Sequence, residues 1–253
     1  MKIGFFQEYT SKDVFSPLKH INFPINLYIG CKNVKQFLSI SIELRKKYKN
    51  IEKVIYWPIL KLSEGYWLSG FAKQPAIRRV TREINFAKES FPVLWDAELP
   101  SLNKKLLFTE IPLLLKNLII IYKALLKQKP SNPIIVAEFP RFGISNVLSI
   151  IGGATFPFTK YHRLDMLYSS FLKITHKEIR IRNIIRSNIL KYKKYTVGVG
   201  LIGRDKNDPT PLLTLKEFDR DMKICKDEGV KEVVLYRLSG MNGNYLRILK
   251  KYT

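Results

Sequence analysis

Short apolar runs of strand type alternate with longer helical patterns along almost the whole chain, and this alternation narrows the choice of fold more than any other feature. Such an order builds βαβ units and a parallel sheet. The expected strands cover residues 3–7, 26–29, 53–58, 92–97, 133–137, 154–157, 196–201 and 232–236. Helical patterns are expected at 34–48, 75–88, 108–128, 144–150, 164–192, 214–228 and 244–251. Pro75 suits a first turn, Thr214 an N-cap, and Gly229 the stop after that helix. Eight is the number of strands that closes a parallel sheet into a barrel with no exposed edge. The expected fold class is therefore α/β, a single (β/α)8 (TIM) barrel in which residues 1–253 form one domain, a normal length for that architecture. The competing layout is an open doubly wound sheet, but no glycine-rich phosphate fingerprint follows the first strand. Gly198-Val199-Gly200-Leu201-Ile202-Gly203 has the G-x-G-x-x-G spacing, yet a polar loop follows it instead of a helix. Those glycines read as close packing inside the barrel and a turn.

The charge balance bears on partners. Lys and Arg number 44 against 21 Asp and Glu, a net charge of +23. Such a field draws nucleic acid, anionic lipid or acidic polysaccharide. The basic residues are scattered along the chain, so no specific nucleic-acid partner is expected, while an anionic polymer or a membrane surface stays open. Residues 108–127 keep the membrane in play. Lys116, Lys123 and Lys127 share one stripe and nearly everything else is apolar, which fits a membrane-lying face or a barrel helix packed on several sides. Cys31 and Cys225 are far apart and in no CxxC arrangement, which points to neither a zinc site nor a disulfide framework. The first residues reach Glu8 too early for a signal-peptide apolar region, and residues 111–126 are interrupted by Lys116, Asn117 and Lys123. A cytoplasmic location is the expectation. No G-x-S-x-G elbow, P-loop or HExxH is present, and neither a cofactor nor a metal is expected.

In barrels of this type the chemistry lies at the C-terminal ends of the strands. Reactive residues gather there: Glu8 after strand one, Trp57 in strand three, Asp96 and Glu98 at strand four, Glu138 at strand five and Arg237 at strand eight. Within Trp95-Asp96-Ala97-Glu98, strand alternation sets both carboxylates on one face, where each raises the other's pKa. That is what a general acid working near neutral pH requires. An Asp-x-Glu at the end of strand four resembles the catalytic strand of chitinase-like and lysozyme-like (β/α)8 glycoside hydrolases. The resemblance implies Glu98 as the acid that protonates the leaving oxygen and Asp96 as its polar partner. Pro92, Val93 and Leu94 stand where the chitinases carry further acidic residues upstream in the same strand.

Glu138 is expected as the second carboxylate, with Arg141 orienting it or holding an acidic sugar; the alternative is that the two simply pair in a loop. Tyr66 and Trp67, between Gly65 and Gly70, are placed as in a mobile substrate loop, and their rings suit the apolar faces of a sugar. Trp57 is a further stacking candidate or a core residue, whereas Trp95 reads as core. His162 is expected just past strand six, facing the site. With Asp96, Glu98 and Glu138 it would complete a divalent-metal set, the basis of an alternative metal-dependent reaction on a sugar or sugar phosphate. A third alternative is a non-catalytic basic barrel. The favoured expectation is an enzyme that cleaves a polysaccharide or glycoconjugate by carboxylate general acid/base catalysis.

Overall fold

The computed structural model describes residues 1–127, 132–140, 144–159, 161–171, 177–204 and 210–253. Arg141 and His176 lie outside the described residues. Eight parallel strands close a barrel in sequence order: β1 (Lys2–Gln7), β2 (Ile25–Cys31), β3 (Ile51–Pro58), β4 (Val93–Asp96), β5 (Ile134–Glu138), β6 (His162–Met166), β7 (Tyr195–Gly200) and β8 (Glu232–Tyr236). β1 pairs with both β2 and β8, so no edge is left open. Around the strands run α1 (Val34–Lys47), α2 (Gln74–Phe86), α3 (Leu106–Thr109), α4 (Leu114–Leu126), α5 (Ile144–Ile151), α6 (Lys177–Lys191), α7 (Leu215–Asp227) and α8 (Gly243–Leu249). The expected (β/α)8 barrel is the fold observed.

Strands buried on both faces read as nearly continuous apolar runs, and alternation sorts their side chains into two cores. Phe5, Val54, Trp95, Val136 and Val197 pack outward against the helices. Phe6, Tyr28, Trp57, Leu94, Ala137 and Leu164 fill the lumen. Local chemistry sets the helix ends. The Thr214 hydroxyl accepts from the Glu217 amide at 3.2 Å while the Glu217 carboxylate accepts from the Thr214 amide at 2.9 Å, a reciprocal cap that starts α7. Gly229, with φ of 75°, ends it.

Two expectations require correction. Strand six is not at 154–157 but at His162–Met166, so the helix expected over 164–192 is a strand followed by α6. The helix expected over 108–128 is interrupted at Pro112: α3 stops at Thr109, a 3-10 turn covers Ile111–Leu113, and α4 begins at Leu114. Proline cannot donate the hydrogen bond a continuous helix needs there.

Candidate active site

Along β4 the odd-numbered residues Val93 and Trp95 face the helices, which turns Leu94 and Asp96 into the lumen. The same alternation carries Glu98, just beyond the strand, to the lumen side. Asp96 is 2% exposed, and its Oδ2 accepts a hydrogen bond from the Trp57 indole at 3.1 Å. Burial pushes the Asp96 carboxyl up to about 7, helped by the nearby Glu8 carboxylate and opposed by bonding with Glu98 and the Trp57 indole. A carboxyl so placed exchanges its proton near neutral pH, as an acid/base group must.

Glu8, on the lumen side of β1, supplies a third carboxylate. It accepts hydrogen bonds from the hydroxyls of Tyr66 and, at 2.5 Å, Tyr236. These two bonds reach Glu8 from distant parts of the chain and fix it at the mouth. Tyr66 owes its position to Gly65, whose φ of 122° only glycine tolerates readily, and itself adopts a left-handed φ of 65°. The Tyr66–Trp67 loop, expected to be mobile from its glycines, is followed by a residue bonded to β4. The Leu68 amide donates to the Asp96 carbonyl at 3.0 Å, and the Trp95 indole donates to the Leu68 carbonyl at 3.2 Å, which staples the loop to β4. Trp67 remains half-buried, its ring edge-on to Tyr66 at 5.1 Å. Trp95 is a core residue, as expected.

Trp57 is also buried: it packs edge-on against Phe6 at 5.6 Å and serves as the floor that holds Asp96, not as a stacking platform. Arg237 lies at the end of β8 with its guanidinium 5.3 Å from the centre of the Tyr9 ring.

Glu138 does not join these acids. It continues the outward row of Ile134 and Val136 and is fully buried between sheet and helices. There its Oε2 meets the Arg163 Nη1 at 2.5 Å, and its Oε1 accepts from the Phe156 amide and the Tyr161 hydroxyl, each at 3.1 Å. Arg163 also pairs with Asp165 at 2.6 Å, and Asp165 accepts from Tyr195 at 2.9 Å. Burial pushes the Glu138 carboxyl up to about 7 against the pull of Arg163, but the carboxyl lies on the helix side of the sheet, apart from Asp96 and Glu98, and that placement removes it from the expected role of second catalytic carboxylate.

His162 is misplaced by the same error that misplaced strand six. It opens β6 instead of following a strand, which sets it at the N-terminal end of the barrel, with its Nε2 2.7 Å from the Thr196 hydroxyl. Leu164 and Met166 separate it from the mouth along the same row. Burial and the neighbouring Lys194 and Lys53 lower its pKa to about 4. The set Asp96, Glu98, Glu138 and His162 is therefore never assembled. Among the described residues no group of three or more His, Cys, Asp or Glu is placed to hold a metal ion.

No family model matches the chain, and no curated protein matches it by sequence. A chitinase from Bacteroides thetaiotaomicron superposes with a TM-score of 0.59 at 11% identity, covering 98% of this chain and 93% of that one. The spore cortex-lytic enzyme SleL of Bacillus cereus gives a TM-score of 0.59 at 8% identity, over 99% of this chain and 74% of that one. A class V chitinase from Nicotiana tobaccum in complex with NAG4 gives 0.56 at 9% identity, over 99% and 98%. The chain shares the (β/α)8 fold of these enzymes.

Two residues of this barrel escape a reading of the sequence. Tyr168, just beyond β6, is buried in the lumen; burial first, then the carboxylates of Asp96, Glu98 and Glu8, push its hydroxyl well above the ordinary tyrosine range. It fits because β7 offers glycines. A Cβ on Gly198 or Gly200 would come within 3.3 Å of the Tyr168 ring, so the G-x-G spacing is indeed close packing inside the barrel. Tyr236, the last residue of β8, is the second; its ring lies 5.8 Å from that of Tyr168. The signal for Tyr236 was its place at a strand end, whereas Tyr168 was hidden by the misread strand six.

Proposed function

We propose that the protein is a glycoside hydrolase that cleaves a polysaccharide or glycoconjugate at the mouth of the barrel. The observation that carries this reading is the lumen-facing pair Asp96 and Glu98, with Asp96 buried on the Trp57 indole and its proton poised near neutrality. Glu98, half-buried and closer to solvent, donates a proton to the leaving oxygen. Asp96 lies behind it and shares that proton; as the bond from the leaving oxygen to the sugar carbon breaks, a solvent water adds to that carbon, and the proton it releases restores the Asp96–Glu98 pair. Glu8, held by Tyr66 and Tyr236, is an acceptor fixed on the far side of the mouth, suited to oppose positive charge as it develops on the sugar ring. Tyr168, buried in the lumen, feels the carboxylates of all three acids. The carbohydrate carried by the Nicotiana chitinase, NAG4, supports an oligosaccharide as the class of ligand.

The test is a panel of chromogenic glycosides and natural polysaccharides, N-acetylglucosamine polymers included, offered to wild type and Glu98→Gln with and without EDTA. Turnover that survives EDTA and falls by about 100-fold or more in the variant is expected, since general acid catalysis contributes on that order. Turnover abolished by EDTA would favour the metal-dependent alternative. With the Asp96–Glu98 pair sharing a proton, activity should decline as pH rises through about 7, where that proton leaves.

A further inference from the structure

The outer face of α4 carries two different surfaces side by side. Asn117, Leu118, Ile121 and Leu125 turn inward and are buried. Of the outward residues, Leu115 is 75% exposed, and Ile119 and Leu126 are exposed as well. Just ahead of the helix, Ile111 is exposed and Phe108 is 74% exposed. At 3.6 residues per turn, Leu115, Ile119 and Leu126 fall in one arc of α4, and Lys116, Lys123 and Lys127 in the adjoining one. Leu148 and Ile151 of α5 add exposed side chains on the neighbouring helix. The start of α4 and the end of α5 meet at Gly70, where a Cβ would come within 2.6 Å of Leu114 and 3.0 Å of the Gly152 carbonyl.

The lysine arc faces α2. Lys116, Lys123 and Lys127 join Arg78 to line a groove of about 470 Å³, and no acidic residue is among its described lining residues. An exposed strip of large aliphatic side chains alone would suit many partners. Here a row of lysines runs along its edge, on a chain of net charge +23. Apolar side chains that dip into the headgroup boundary and lysines that reach lipid phosphates are the two components of interfacial membrane binding. We propose that the α4 face is a docking surface for an anionic lipid bilayer. The Phe108–Leu115 end enters the headgroup region, and the α2–α4 groove takes lipid phosphates. Because α4 follows β4 through the loop that starts at Glu98, docking sets one side of the barrel mouth against the bilayer. This surface is separate from the carboxylate site, and the proposal stands or falls independently of the hydrolase reading.

The test is co-sedimentation of the full chain with vesicles of phosphatidylcholine and phosphatidylglycerol in a three-to-one ratio, and with phosphatidylcholine alone. Wild type should pellet with the anionic vesicles and stay in solution with the neutral ones. Leu115→Glu/Ile119→Glu and, separately, Lys116→Glu/Lys123→Glu should each weaken binding by about tenfold or more, with an unchanged circular dichroism spectrum. Lys193→Glu/Lys194→Glu, on exposed lysines at the N-terminal end of the barrel, should pellet like wild type. Failure of wild type to bind the anionic vesicles, or an equal loss in all three variants, would overturn the proposal. So would a solution dimer that Leu115→Glu/Ile119→Glu alone converts to monomer, since a second copy would then cover the face.

Discussion

At the scale of single residues, two acidic groups that look alike in the sequence are separated by the side of the strand they occupy. Asp96 faces the lumen and has only the Trp57 indole and its fellow acids for company, so burial leaves it close to its proton. Glu138 faces the helices, where burial raises its carboxyl to about 7 as well, and what sets it apart is its ion pair with Arg163. For Asp96 the folded-state pKa is raised, so the folded protein binds more protons than the unfolded chain between about 4 and about 7. Stability from this group is accordingly full at acid pH and lost as pH rises, by at most about 1.4 kcal/mol per unit. Urea titrations at about pH 5 and about pH 8 should therefore show a larger loss for wild type than for Asp96→Asn, which carries no titrating proton there. Removing Arg163 has a different outcome. Arg163→Met leaves Glu138 and Asp165 buried without their cation, and a loss of about 3–5 kcal/mol is expected in the same titration.

Single elements explain which parts of the fold could be read without coordinates. β8 was legible to the residue, and β1, β3 and β7 nearly so, because both of their faces are apolar. β6 was not. Its outward positions carry Arg163 and Asp165, which pair with each other while Arg163 also pairs with Glu138, so a buried strand looked like a polar helix start. Ala154 and Phe156 are buried and apolar, which made a loop resemble a strand. The Asp96–Glu98 pair was legible because period-two alternation alone sets the two on one face. Glu138 was assigned to the same pocket because its strand-end position says nothing of which face it takes. At the Tyr66 loop the geometry rests on one glycine. Gly65→Ala should cost about 1–3 kcal/mol for its positive φ, and it should also lower turnover by displacing the tyrosine that holds Glu8. Thermal melting and initial rates measured on the same preparation check both effects.

For the whole molecule, closure of eight strands was predictable from eight alternations, since an open sheet of this length would leave two edges to protect. The barrel then does what barrels do: it gathers residues from distant parts of the chain, Glu8, Tyr66, Asp96, Glu98, Tyr168 and Tyr236, at one end. The chitinases and the cortex-lytic enzyme it superposes on share too little identity with it to carry more than the fold. The assignment of chemistry therefore rests on the strand-four acids. Its most direct test is the turnover number of wild type, Glu98→Gln and Glu138→Gln on the same glycoside at the same pH, with each protein verified as folded. The account predicts that Glu98→Gln loses about 100-fold or more, while folded Glu138→Gln stays within about threefold of wild type. A Glu98→Gln enzyme as active as wild type, or a Glu138→Gln enzyme that is folded but inactive, would contradict it.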